Sequence, residues 1–147
     1  MDKITRWIKV NTEFRGIHCW PECPFPEVVF LRNPHRHTFK IEVKVLVEHE
    51  DRDIEFFQFQ HRVDQVISDW YFKGTQPGHK NIEPVDLGRK SCEQIAEDIF
   101  QVLRAYGYNR RMVICVSEDG EVGAELEFEP DGTKFEPNGG LDNEGIL

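Results

Sequence analysis

Three histidines hold the most chemistry in this sequence: His18, and the pair His35 and His37 on either side of Arg36. Side chains at i and i+2 of a strand point to one face, so His35 and His37 can offer two imidazoles to one metal. If the strand ending near His18 pairs with the one beginning at His35, the third imidazole lies opposite that pair. Three His hold zinc and leave a fourth tetrahedral position for water or substrate, which is the arrangement of catalytic zinc. A polar strand start that binds nothing has the same H-x-H spelling, so spacing alone leaves both readings open. Cys19 and Cys23 with His35 and His37 spell a second candidate, a structural zinc knuckle in a loop stiffened by Pro21 and Pro24.

The elements that must position these groups follow from periodicity. Ile8, Val10, Thr12 and Phe14 alternate in a first strand over Ile4 to Phe14. Prolines 21, 24, 26 and 34 then predict a loop from Cys19 to Pro34 without helix. Phe39, Ile41, Val43, Val45 and Val47 mark the clearest strand. Phe59, Val63, Val66, Ile67 and Trp70 form one helical face between Glu55 and Trp70. Residues 73–90 read as a long loop, of a length more often functional than idle. Ser91 and Gln94 spell a capping box for a second helix, with Ile95, Ile99, Val102, Leu103 and Tyr106 as its apolar stripe and Gly107 at its end. Met112 to Ser117 and Ala124 to Phe128 are two further strands around a turn at Glu118–Glu121. The expectation is an α+β domain over residues 1–129, a four-stranded antiparallel sheet with two helices packed on one face, followed by a mobile acidic tail over 130–147.

The chain of 147 residues suits one domain, and its 12% aromatic content argues against wholesale disorder. Its formal charge of -9, from 27 acids against 18 Lys and Arg, disfavours a broad nucleic-acid-binding face. It leaves room for a small anion in a local pocket. No apolar run approaches the ~20 residues of a membrane span. Four Cys behind an N-terminus without a signal-peptide pattern read as reduced thiols in a cytoplasmic protein.

Phe14-Arg-Gly-Ile-His18, followed by His35-Arg-His37-Thr-Phe39, resembles the F-x-A-x-H and H-G-H-x-Y motifs of the 6-pyruvoyl-tetrahydropterin and 6-carboxytetrahydropterin synthase family. Ile54-Glu55-Phe56 resembles that family's I-D-F, Ser91 to Ala96 its P-T-x-E-x-[IL]-A, and Val116-Ser117-Glu118 its V-x-E-T. The likeness spans residues 4–128, and its motifs occur in the family's order. It implies a tunnelling fold whose barrel closes across the subunits of a homo-oligomer. It also implies Zn2+ on His18, His35 and His37, and a pterin or guanine-like ring held by Glu118. A carboxylate accepting two parallel N–H bonds suits the amide and amine edge of such a ring. Glu93, in the first turn of the second helix, is a further ligand-binding candidate, although an acid there also answers the helix dipole.

The likeness breaks at the proton-transfer groups. Where the family carries a cysteine four or six residues before its H-x-H, this chain has Leu31 and Val29. The family's Asp-His pair is matched by Gly78-His79, which keeps the His alone, or by Asp69-Trp70, which keeps the Asp alone. His79 and Cys23 are therefore the candidates for the acid–base role, and a thiol near zinc would have a lowered pKa. Two functions are expected from these residues. One is a zinc-dependent lyase of the pterin-synthase kind acting on a dihydroneopterin-triphosphate-like substrate, in pterin or queuosine-type biosynthesis. The other is a homologue that binds a pterin or guanine-like ligand without the standard turnover.

Overall fold

A computed structural model describes residues 3–71 and 83–130. The chain runs β1 (Arg6–His18), β2 (His35–Val47), α1 (Phe56–Tyr71), β3 (Val85–Gly88), α2 (Cys92–Ala105), β4 (Met112–Glu118) and β5 (Val122–Phe128). The class is α+β, and the sheet order is β3-β1-β2-β4-β5. β1 and β2 form an unbroken antiparallel ladder from Arg6 opposite Val47 to His18 opposite His35. β4 and β5 extend it antiparallel.

The expected four-stranded antiparallel sheet is corrected to five strands of mixed direction. β3, inside the segment read as loop, pairs parallel with the end of β1, Gly16 facing Val85. A strand of four residues with one inward apolar side chain, Leu87, is too short for a periodic signal. Gly16 is what lets it approach: a Cβ there would lie 2.7 Å from Leu87 Cδ1 and 3.0 Å from the Phe39 ring. The sheet is open, with β3 and β5 at its edges.

The first loop is also corrected. Pro26–Arg32 forms a 3₁₀ segment, kinked at Val28, despite its prolines. Proline excludes helix interiors but fits the first turn, where its missing N–H has no intrahelical acceptor to lose. The two long helices start on side-chain caps. Glu55 accepts from the backbone N–H groups of Phe57 and Gln58 at 3.0 and 2.9 Å, opening α1. At α2 the capping box is realised in both directions: Gln94 N–H donates to Ser91 Oγ at 3.2 Å and Ser91 N–H to Gln94 Oε1 at 2.9 Å. Gly107, at φ +106°, releases the chain after α2.

Both helices cover the same sheet face. α1 lies over β1 and β3, and α2 over β4 and β5. Phe14, Phe39, Ile41, Val43, Ile114 and Val116 from the sheet meet Phe59, Val63, Ile67, Ile95, Ile99 and Leu103 from the helices in one core. Each fully buried side chain of this size contributes about 1.5–3 kcal/mol of transfer free energy. The other face alternates polar and charged groups, among them Lys9, Glu13, Lys40, Glu42 and Lys44. The sequence register thus sends His18, His35, His37 and Glu118 to the helix-covered face, at the end where the core stops and the helices no longer close over it. Among the described residues, no helix is long and apolar enough to cross a membrane.

Candidate metal centre

The β1–β2 ladder sets His18 directly opposite His35, and the pleat brings His37 to the same side. The rings form a triangle, with centroids 4.6 Å (His18–His35), 5.0 Å (His35–His37) and 5.5 Å (His18–His37) apart. Phe39 closes the floor, edge-on to His18 at 5.1 Å and to His37 at 5.8 Å. One ligand atom from each His lies within 4.8 Å of the others, a grouping able to hold a metal ion.

Each ring is oriented from behind. His18 Nδ1 donates to the Lys90 carbonyl at 2.8 Å, His35 Nδ1 to the Asn33 carbonyl at 2.9 Å, and His37 Nδ1 to Asp119 Oδ2 at 2.8 Å. These partners only accept, so Nδ1 is protonated in all three rings and Nε2 of the neutral ring is a bare lone pair. The three Nε2 atoms are screened from solvent without a hydrogen-bond partner to satisfy that lone pair. Imidazoles fixed through Nδ1 with Nε2 left free are what a metal site requires, and acceptors on the far side of the ring make Nε2 a better ligand.

Glu118, at the end of β4, faces two of these lone pairs. Its Oε2 is 3.1 Å from His18 Nε2 and its Oε1 is 3.2 Å from His37 Nε2. Two acceptors at that distance repel unless a cation stands between them. A proton is one such cation. Burial opposes charge on His18, yet the Glu118 carboxylate and the Lys90 carbonyl together hold its pKa above the ordinary value. The His18 hydrogen bond in turn holds Glu118 below the usual carboxylate range, against the opposing effect of burial. The donor set of three neutral imidazole nitrogens suits a borderline divalent ion, zinc among others.

The site opens into a cavity of about 710 Å³, walled by His18, His35, Glu118, Cys92, Glu93 and Arg89 among others. Glu93 stands exposed on its rim, in the first turn of α2. Cys92 directs Sγ at Glu118 Oε2 from 3.9 Å. Burial and the neighbouring Glu118 charge push its thiol up to about 12, so it stays protonated at neutral pH. Cys23 is not brought to this cavity. It is fully buried under the 3₁₀ segment, with Sγ directed at the Phe25 and Val28 carbonyls at 3.9 and 3.7 Å. Of the two loop cysteines, Cys19 lines the cavity, as does Leu31. His79, the other acid–base candidate, lies outside the described residues, as does the tail from residue 131.

No family model matches the chain, and no curated protein matches it either.

Two contributors to the site are absent from the sequence reading. Asp119, on the exposed turn after β4, accepts from His37 Nδ1 at 2.8 Å and from the Thr38 backbone N–H at 2.9 Å. It does so from a left-handed backbone at φ +60°, which Asp tolerates better than most residues. Lys90 acts on His18 through a backbone carbonyl, and its Nζ is fixed at 2.7 Å by Asp98 of α2. The Asp-Gly spelling of the turn was a signal for the first. No side-chain signal exists for the second.

Proposed function

We propose that this chain is a zinc-dependent protein of the 6-pyruvoyl/6-carboxytetrahydropterin synthase type, acting on a dihydroneopterin-triphosphate-like substrate. The observation that carries the reading is the convergence of three Nδ1-anchored imidazoles, Nε2 inward, two of which, His18 and His35, line a cavity of about 710 Å³. His18, His35 and His37 hold the ion. Bound zinc supplies Lewis-acid polarisation of a hydroxyl or keto oxygen on the substrate side chain. Glu118 accepts the N–H and amine edge of the ring, with Glu93 at the rim of the same cavity. His79 is the remaining candidate to move protons during triphosphate loss. Among the described residues no strand pairs with the outer edge of β3 or β5, which suits self-association into the barrel of a homo-oligomer.

A second reading has an observation of its own. Leu31, at the position where the resembled family carries a proton-moving cysteine, lines the cavity with a side chain that transfers no proton. Cys23 is packed away beneath the loop. This favours a protein that binds a pterin or guanine-like ligand at the metal without the standard reaction.

One experiment separates the readings. Purified protein is analysed for zinc, with about one ion per chain expected, then incubated with dihydroneopterin triphosphate and the products chromatographed. Product formation that is lost in His35→Ala/His37→Ala supports the enzyme. Ligand retention without product supports the binder. Protein that is folded, free of zinc and indifferent to chelators refutes both.

A further inference from the structure

The Glu118 carboxylate is placed differently from what a ring-anchoring role alone requires. Its two oxygens are not turned out into the cavity but lie against His18 Nε2 and His37 Nε2, at 3.1 and 3.2 Å. In a tetrahedral zinc site with bonds of about 2.0 Å, neighbouring ligand atoms are about 3.3 Å apart, the edge of the tetrahedron. Each carboxylate oxygen stands at about that distance from one of the two imidazole nitrogens, Oε2 from His18 and Oε1 from His37. The side chain is only 22% exposed and emerges from β4 opposite Phe39, the ring that floors the site. Cys92 Sγ lies behind Oε2 and, protonated, can donate to it. A carboxylate so placed has the charge and the backing of a ligand, and it lies within reach of an ion held by the three histidines.

We propose that Glu118 is the fourth protein ligand of the metal in the ligand-free protein. The inference rests on the metal reading given above and changes its character. Three histidines alone would leave the ion open to water; with Glu118 the centre is closed by four protein groups. The coordination position then opens only when an incoming molecule draws the carboxylate away. A ring presenting two N–H donors would do that, so that one residue both recognises the ligand and uncovers the metal.

Cobalt(II) in place of zinc makes the centre visible, and azide serves as a small exogenous ligand. The wild-type cobalt protein should show a four-coordinate spectrum that excess azide leaves unchanged. Glu118→Ala and the isosteric Glu118→Gln should bind cobalt at least ~10-fold more weakly, and their spectra should shift with azide. Circular dichroism of Glu118→Gln checks that the fold is kept. If azide shifts the wild-type spectrum as readily as that of Glu118→Ala, at equal cobalt affinity, Glu118 is not a ligand although the metal site stands. If the wild type takes up neither cobalt nor zinc, the metal reading fails and takes this inference with it.

Discussion

His37 Nδ1 donates to Asp119 Oδ2 across 2.8 Å, a bond between residues 82 positions apart in the chain. The β2–β4 pairing makes it possible, since Phe39 faces Glu118 and the turn folds Asp119 back toward Thr38. Asparagine can keep the left-handed backbone and the Thr38 bond, but it would turn an N–H donor toward His37. The ring would then carry its proton on Nε2, where the metal must bind. Asp119→Asn should therefore lower metal affinity about 10–100-fold while leaving the thermal melt of the metal-free protein nearly unchanged. Competition with a chromogenic chelator measures the first quantity, and equal affinities would remove Asp119 from the site.

Asp98 gathers three donors on one oxygen: Trp70 Nε1 at 3.2 Å, Tyr71 OH at 3.1 Å and Lys90 Nζ at 2.7 Å. It thereby joins the end of α1 to α2 and to the residue whose carbonyl orients His18. Asp98→Ala should cost about 1–3 kcal/mol in denaturant unfolding, because partly buried donors lose their acceptor. It should also weaken metal binding, which a purely distant helix contact would not do. Unfolding curves and chelator competition on the same preparation test both halves.

Sensitivity to acid has a named source. Asp53 accepts from Arg110 Nη1 at 2.7 Å and from the Glu48 backbone N–H at 2.8 Å. These bonds, the Arg110 bond foremost, lower its carboxyl from 3.8 to about 2. A depressed carboxylate stabilises the fold above its unfolded value, and that contribution is lost as pH falls through the folded value. Asp53→Asn should consequently be less stable than wild type at neutral pH. The gap should narrow between about pH 4 and pH 2. Urea midpoints across that interval decide it, and a gap that stays constant would assign the acid sensitivity elsewhere.

Gly123 pairs with Ser117 on the rim of the cavity. A Cβ there would lie 2.3 Å from the Val116 carbonyl oxygen and 2.6 Å from Ser117 Cα, backbone atoms that cannot swing aside. Gly123→Ala should cost about 1–3 kcal/mol and loosen the β4–β5 hairpin. Amide exchange along Val122–Phe128 should accelerate first. An unchanged melt would mean that β5 can shift outward without penalty.

The periodic parts of this protein are legible in its sequence. Alternating Val and Ile marked β2, three- and four-residue spacings marked α1 and α2, and Ser91 with Gln94 marked the start of α2. The three histidines could be grouped because strand geometry is regular: i and i+2 share a face, and paired strands bring His18 level with His35. What the sequence does not spell out depends on long-range approach or on the backbone. β3 is four residues long and is defined by its partner, not by its own pattern. The 3₁₀ segment hides behind prolines that the first turn of a helix accepts. Asp119 reads as an ordinary turn acid until β4 is paired with β2, and Lys90 contributes only a carbonyl.

The unbroken ladder from Arg6–Val47 to His18–His35 has a further consequence. All three histidines hang from one continuous pair of strands, and side chains alternate between faces with a period of two residues. A slip of a single residue between β1 and β2 would turn His18 toward the charged face and leave the other two where they are. An ion held by all three can therefore form only in one alignment of the hairpin. Metal uptake would act as a proofreader of strand alignment, since a misaligned hairpin could not collect the third imidazole.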